Sequence, residues 1–345
     1  MFQPWRPRAL KAACWVAMIL CSACATSTPA EHPASGYVPV ELQLGSESPV
    51  VSEGWIDSLN HYLSTVLVTT TFLVPQQGTK VKTCSGVLIH PRVVLTAGHC
   101  VCDVRKPVPP EASDSTLTDR STCAKTADVT LLRYKPPEET GQAVPRAGSS
   151  SPPAVHLGPY RGKVQAHEEL RIIYKDVETS TGWETNTEYS NADLAVIILE
   201  DSLRRYAQPI KLAEEPVHIK DRVLLVGYGP EVLGSPLDAP VRRFGENVVA
   251  SIKQDGSTFH IGFPLEIEPS YSGEKPAVVR KQGSYATTGD SGGPCFRERK
   301  GALELVGIAR STHGPPLVLS VYTSTQAYLG WLRQKMASAA DGHTD

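Results

Sequence analysis

Thr287-Thr288-Gly289-Asp290-Ser291-Gly292-Gly293-Pro294 sets a serine between glycines, preceded by an acid and closed by a proline. Each residue type in it has a mechanical reason. Glycine at 289 lets the backbone bend so that successive N–H groups point into one small space. Ser291 supplies a hydroxyl nucleophile, which is weak until a neighbouring base takes its proton. Gly292 and Gly293 are expected to keep side chains out of a substrate's path. The N–H groups of Gly289 and Ser291 then form a candidate oxyanion hole, each donor worth about 3–4 kcal/mol in a transition state.

A bare Gly-x-Ser-x-Gly is more often a turn than a site, so the chemistry needs a base and a carboxylate in matching settings. Both are upstream, in Leu95-Thr96-Ala97-Gly98-His99-Cys100 and in Asp193-Leu194-Ala195-Val196-Ile197-Ile198-Leu199. With the order His99, Asp193, Ser291, the chain resembles the trypsin/chymotrypsin-like serine proteases over about residues 80 to 335. The resemblance implies an all-β fold: two six-stranded antiparallel β-barrels (chymotrypsin-like) with a C-terminal helix and a cleft between the barrels. His99 and Asp193 are then expected from the first barrel and Ser291 from the second. The implied roles are general base and acid for His99, orientation of the imidazole for Asp193, and attack by Ser291. A protein or peptide substrate is implied, and no metal or organic cofactor.

Three departures from the family pattern bear on function. Relatives often pair a newly freed N-terminus with the acid before the serine, here Asp290. No Ile-Val-Gly-Gly is present, and Val50-Val51-Ser52-Glu53 is a faint echo, which leaves the need for processing open. The position six before the serine, at the base of the pocket in relatives, is Tyr285 and not an acid, which argues against selection of Lys or Arg. Gly307-Ile308-Ala309-Arg310-Ser311-Thr312-His313-Gly314 replaces the usual Ser-Trp-Gly. On the resemblance, Tyr285, Ser311, Thr312 and Ser320 are the expected substrate-binding residues.

Composition fits an ordinary globular protein. Of 345 residues, 41% are hydrophobic and 20% charged, and the formal net charge is −2. That balance gives no reason to expect nucleic acid, which would want a basic face. With Gly 27 and Pro 28, turns are frequent, which suits many short strands.

The first 24 residues read as a secretory signal: Arg6, Arg8 and Lys11 precede an apolar run from Ala12 to Ala23 that is too short to span a bilayer. Cys21-Ser22-Ala23-Cys24 resembles a bacterial lipobox with Cys24 as the lipidated residue, although Cys21 stands where Leu is usual. Ala23-Cys24-Ala25 also fits ordinary cleavage. Either way the mature chain is expected to be exported, secreted or lipid-anchored to the bacterial envelope. Residues 25–52 read as a flexible linker, 53–210 as the N-terminal barrel, and 211–338 as the C-terminal barrel plus helix.

Export makes disulfides plausible. Cys84 and Cys100 resemble the family's bridge from the strand before the histidine to the segment after it, worth about 3 kcal/mol in the chain-entropy model. Cys102 with Cys123 is the next pairing, leaving Cys295 unpaired; the rival arrangement is a zinc site of Cys84, Cys100, Cys102 and Cys123 helped by His99.

β-branched runs place strands at Ser64–Val74, Cys84–Ile89, Arg92–Thr96, Asp128–Tyr134, Ala154–Leu157 and Glu169–Tyr174, all expected in the first barrel. The long interval from His99 to Asp193 points to surface insertions at Cys102 to Arg120 and Pro136 to Pro153. Asp176, Glu178, Glu184 and Glu188 read as solvated loop acids. Second-barrel strands fit Val223–Gly229, Arg243–Ile252, Thr258–Phe263, Leu303–Ala309 and Val321–Thr323. A helix opening at Tyr328–Leu332 is expected to pack on that second barrel. Two functions follow from these residues: a serine endopeptidase, or a protease-like fold kept as a binding or adhesion module.

Overall fold

The computed structural model describes residues 55–74, 78–109, 115–135, 153–179, 182–229, 240–262, 266–268, 277–279, 283–313 and 319–340. The expected signal with Cys24, the 25–52 linker, Val50–Glu53 and nearly all of the Pro136 to Pro153 segment lie outside them. Among the described residues no helix is long and apolar enough to cross a membrane.

The first half runs through β1 (Trp55–Ile56), β2 (Thr65–Val74), β3 (Gly78–His90), β4 (Val93–Thr96), the helical turn α1 (Gly98–Val101), β5 (Ser115–Asp119), β6 (Thr126–Tyr134), β7 (Ala154–Ala166), β8 (Arg171–Thr179), β9 (Gly182–Asn191) and β10 (Ala195–Leu199). Six of these close a barrel in the order β10-β4-β3-β2-β6-β7. Every residue of β4 and β10 is buried. Continuous apolar runs such as Val93-Val94-Leu95 are what a strand covered on both faces requires.

Two expectations for this half need correcting. The strand that begins near Glu169 is not a barrel strand: β8 sits between β5 and β9 in a separate three-stranded sheet. β7 pairs directly with β10, Ala195 opposite Ala166, so the barrel closes without it. Accordingly Ile172 is buried while Asp176, Val177 and Glu178 are exposed. Asp176, Glu178 and Glu188 are thus solvated as expected, but on strands rather than loops; Glu184 is also on β9. In the segment expected as an insertion at Cys102 to Arg120, Val104, Lys106 and Val108 are exposed as expected, but β5 is built into the fold. Leu117 and Thr118 are buried, Arg105 pairs with Asp119 at 2.6 Å, and a disulfide joins Cys102 to Cys123.

The second half contains β11 (Lys211–Leu212), β12 (Arg222–Gly227), β13 (Arg243–Ile252), β14 (Thr258–Ile261), the short ribbon of β15 (Glu266–Glu268) and β16 (Ala277–Val279), β17 (Pro294–Arg299), β18 (Ala302–His313), β19 (Leu319–Ser324) and helix α2 (Leu329–Ala340). Strands β13-β12-β17-β18-β19-β14 form a ring, because β14 also pairs with β13. β17 escaped sequence reading: Pro294 opens it, and Arg297, Glu298 and Arg299 break its apolar pattern. β11 carries the chain onto the second barrel by pairing in parallel with β18.

The first and last described elements cross over. β1, placed by the 53–210 boundary with the first barrel, pairs with β13 of the second. Helix α2 was expected on the second barrel but packs on elements of the first. The Trp331 ring lies 4.9 Å from that of His167, and the Tyr328 hydroxyl accepts the Ala192 N–H at 3.2 Å. Leu329, Leu332, Met336 and Ala339, at helical spacing, join the core that includes Leu95, Leu170 and Leu194.

A buried ion pair fastens the N-terminal crossing. Arg242 Nε donates to Asp57 Oδ2 at 2.7 Å, and neither side chain is exposed to solvent. Arg242 also donates to the Leu132 carbonyl at 2.7 Å and the Tyr228 hydroxyl at 3.1 Å. One guanidinium thus touches the segment after β1, the end of β6 and the loop after β12.

Candidate active site

His99 and Asp193 are 94 residues apart in sequence and meet because β4 and β10 are neighbours. Thr96, ending β4, lies opposite Ala195, opening β10, so the residues just beyond emerge at one edge. Asp193 is fully buried and engages His99 twice. Its Oδ1 accepts the His99 backbone N–H at 2.9 Å and its Oδ2 faces ring Nδ1 at 2.8 Å. With Nδ1–H donating to the carboxylate, Nε2 is the nitrogen left to accept a proton. Burial pushes the Asp193 carboxyl up, but the His99 ring and its two hydrogen bonds outweigh burial and hold it below the usual range.

Ser291 comes from the other barrel, on the turn before β17. Ser85 of β3 fastens that turn to the barrel holding His99: its hydroxyl donates to the Gly289 carbonyl at 2.8 Å, and its N–H donates to the Ser291 carbonyl at 2.8 Å. The same hydroxyl accepts the Tyr228 N–H at 3.0 Å. Sequence reading missed Ser85; a small polar residue inside the buried run Cys84–Ile89 was the available signal. Gly289 has φ +98°, and among the described residues neither its N–H nor that of Ser291 donates to a protein group. Among the described residues Ser291 makes no hydrogen bond to His99; the polar neighbour of ring Nε2 is the bridged Cys100 Sγ at 3.8 Å.

Gly292 and Gly293 do not clear a path for substrate, contrary to expectation. A side chain at 292, where φ is +79°, would collide with Thr96 Oγ1 and the Ser85 carbonyl. One at 293 would lie 2.7 Å from the carbonyls of Asp290 and Val226. These glycines let the two barrels approach each other directly behind Ser291.

Asp290, the acid before the serine, finds its donors inside the fold. Oδ1 accepts the Gly229 N–H at 2.7 Å and Oδ2 accepts the Thr287 N–H at 2.8 Å, with the Thr287 hydroxyl at 3.1 Å. Burial dominates these bonds and pushes its carboxyl pKa up to about 6.

Beside Ser291 lies a cavity of about 220 Å³, walled by residues 286–288 on one side and 309–312 on the other. Of the residues expected there, Ser311 and Thr312 line it and Tyr285 and Ser320 do not. Ser320 is buried, and its hydroxyl accepts the Ala286 N–H at 2.7 Å. Thr312 Oγ1 donates to the Ala286 carbonyl at 2.5 Å, tying the two walls together. Tyr285 is half-buried outside this lining. Arg310, whose role sequence reading left unassigned, is the charged side chain of the lining.

Cys84 is bonded to Cys100, the pairing the resemblance implied, and Cys102 to Cys123. This overturns the zinc arrangement, since all four sulfurs are spent in disulfides. His99 does stand beside Cys84 and Cys100, but a bridged sulfur is no thiolate ligand. Cys295 is unpaired and buried.

A closed six-stranded barrel beside a second ring of strands, followed by a C-terminal helix, defines the chymotrypsin-like fold. The family model for the trypsin-like peptidase domain matches residues 84–308. The chain belongs to that family.

Proposed function

We propose that this chain is an exported serine endopeptidase acting through His99, Asp193 and Ser291. The observation that carries this reading is the double hold of Asp193 on His99, with the Ser291 turn fastened by Ser85 to the same barrel. Ser291 Oγ attacks the carbonyl carbon of a peptide bond as His99 Nε2 takes the hydroxyl proton. Asp193 keeps the ring in the tautomer with hydrogen on Nδ1 and stabilises the imidazolium. The N–H groups of Gly289 and Ser291 receive the negative oxygen. The leaving amine departs with the proton from His99, and the acyl group stays as an ester on Ser291. Water deprotonated by His99 then frees the acid product.

Asp290 already has internal donors, so the proposed enzyme needs no freed N-terminus. Export, with release or attachment through Cys24, rests on the basic and apolar segments of residues 1–24.

The test is fluorophosphonate labelling of the oxidised protein with peptide mapping, beside casein digestion. Stoichiometric label on Ser291, lost in His99→Ala, with digestion lost in Ser291→Ala, is the expected result. An unlabelled Ser291 in folded protein sinks the reading in favour of a binding module.

A further inference from the structure

Arg310 interrupts the register between β18 and β19 at an irregularity between Ala309 and Ser311. It lines the same cavity as Ser291 and is half-buried. Among the described residues it makes no hydrogen bond or ion pair. The groups that reach it electrostatically are the carboxylate of Asp193 and the hydroxyls of Tyr174 and Tyr328. Asp193 is buried and already holds His99 with both oxygens. Burial lowers the Arg310 pKa, the response of a cation that has lost water without gaining a matching anion.

A guanidinium presents five donors in a planar fork that matches a carboxylate. Withdrawing it from water is unfavourable unless an anion pairs with it. Arg310 lines the cavity beside Ser291, so a bound peptide is placed to supply that anion. We infer that Arg310 selects peptides carrying a carboxylate side chain at the cleaved residue or the one before it. The inference rests on the peptidase reading above. A free C-terminal carboxylate offers the same chemistry, so the test must separate the two sources.

Internally quenched peptides, acetylated and amidated at their ends, are compared with Asp or Glu, Asn or Gln, and Lys at those two positions. Wild-type kcat/KM should favour the acid over its amide by roughly 10–100-fold. Added salt should shrink that ratio, because it is a charge effect. In Arg310→Gln the ratio should fall to about one, and in Arg310→Glu the preference should move to Lys. Arg310→Lys, which keeps charge but loses the fork, should fall between wild type and Arg310→Gln. These ratios are independent of how much of each variant folds.

Equal cleavage of acid and amide peptides by wild type, with Ser291 labelled by fluorophosphonate, overturns the inference and leaves the peptidase intact. So does an unchanged ratio in Arg310→Gln, which would mark a structural role. Cleavage confined to a parallel peptide set left unblocked at the C-terminus also overturns it, naming the terminal carboxylate as the anion. Absence of both label and cleavage removes the peptidase reading and this inference together.

Discussion

Asp193 grips His99 at two points, the backbone N–H at 2.9 Å and ring Nδ1 at 2.8 Å, so one buried carboxylate fixes both the place and the tautomer of the ring. Asp193→Asn keeps the shape but offers an amide N–H where Nδ1–H must donate. Peptide hydrolysis should fall by about 10⁴-fold in kcat. Steady-state kinetics on protein with unchanged circular dichroism checks it, and a loss below tenfold would refute the role.

Asp290 gives a pH signature opposite to that of Asp193. Its carboxyl is raised from 3.8 to about 6 in the folded chain, so between these values the folded state holds a proton that the unfolded state has released. Stability contributed by that proton is complete below about pH 4 and is lost as pH rises towards 6. The total is on the order of 3 kcal/mol. Asp193, held low, contributes stability above the unfolded carboxyl pKa that is lost as pH falls through its folded value. Melting of Asp290→Asn against wild type, in steps from pH 4 to 7, should show the variant gaining relative stability up to pH 6. A constant difference would contradict the assignment.

Ser85→Ala removes the hydroxyl that holds the Gly289 carbonyl and receives the Tyr228 N–H. Leaving these buried groups unpaired should cost about 1–3 kcal/mol. Because the Gly289 turn then loses an anchor, kcat should fall while KM changes little. Denaturant unfolding and a kcat–KM split check both halves; an unchanged kcat would limit Ser85 to stability.

Arg242→Met leaves Asp57 buried beside the His61 and Tyr62 N–H groups but without its cation. Removing one partner of a buried pair typically destabilises by about 3–5 kcal/mol. Replacing both, as Asp57→Asn with Arg242→Met, should recover part of that loss. Chemical denaturation of Arg242→Met, Asp57→Asn and the double variant tests the coupling, and additive losses would show that the pair is not one unit.

Much of the site was legible because its residues come in short local motifs. Ala97-Gly98-His99-Cys100 and Gly289-Asp290-Ser291-Gly292 each carry their backbone requirement within a few residues. Strand positions followed where β-branched runs were buried, as in β4 and β10. Residues acting across the cleft were harder to read. Ser85 looks like any small strand residue until the Gly289 carbonyl stands opposite, and Gly292 looks like a substrate passage until Thr96 lies behind it. β8 carries a strand pattern as good as any barrel strand. Its exclusion depends on β7 pairing with β10, which no local pattern encodes. Helix α2 showed its apolar stripe but not which barrel would cover it.

The crossed ends make the two barrels answer to each other when the protein melts. β1 belongs by sequence to one half and by pairing to the other, while α2 returns from the second half to cover the first. Neither half can come apart without stripping an element from its neighbour. Thermal unfolding should therefore run as one cooperative transition, and trimming α2 should loosen the cleft before it exposes the second barrel. The two barrels are held together from outside by β1 and α2 as well as from within by Ser85 and Gly292.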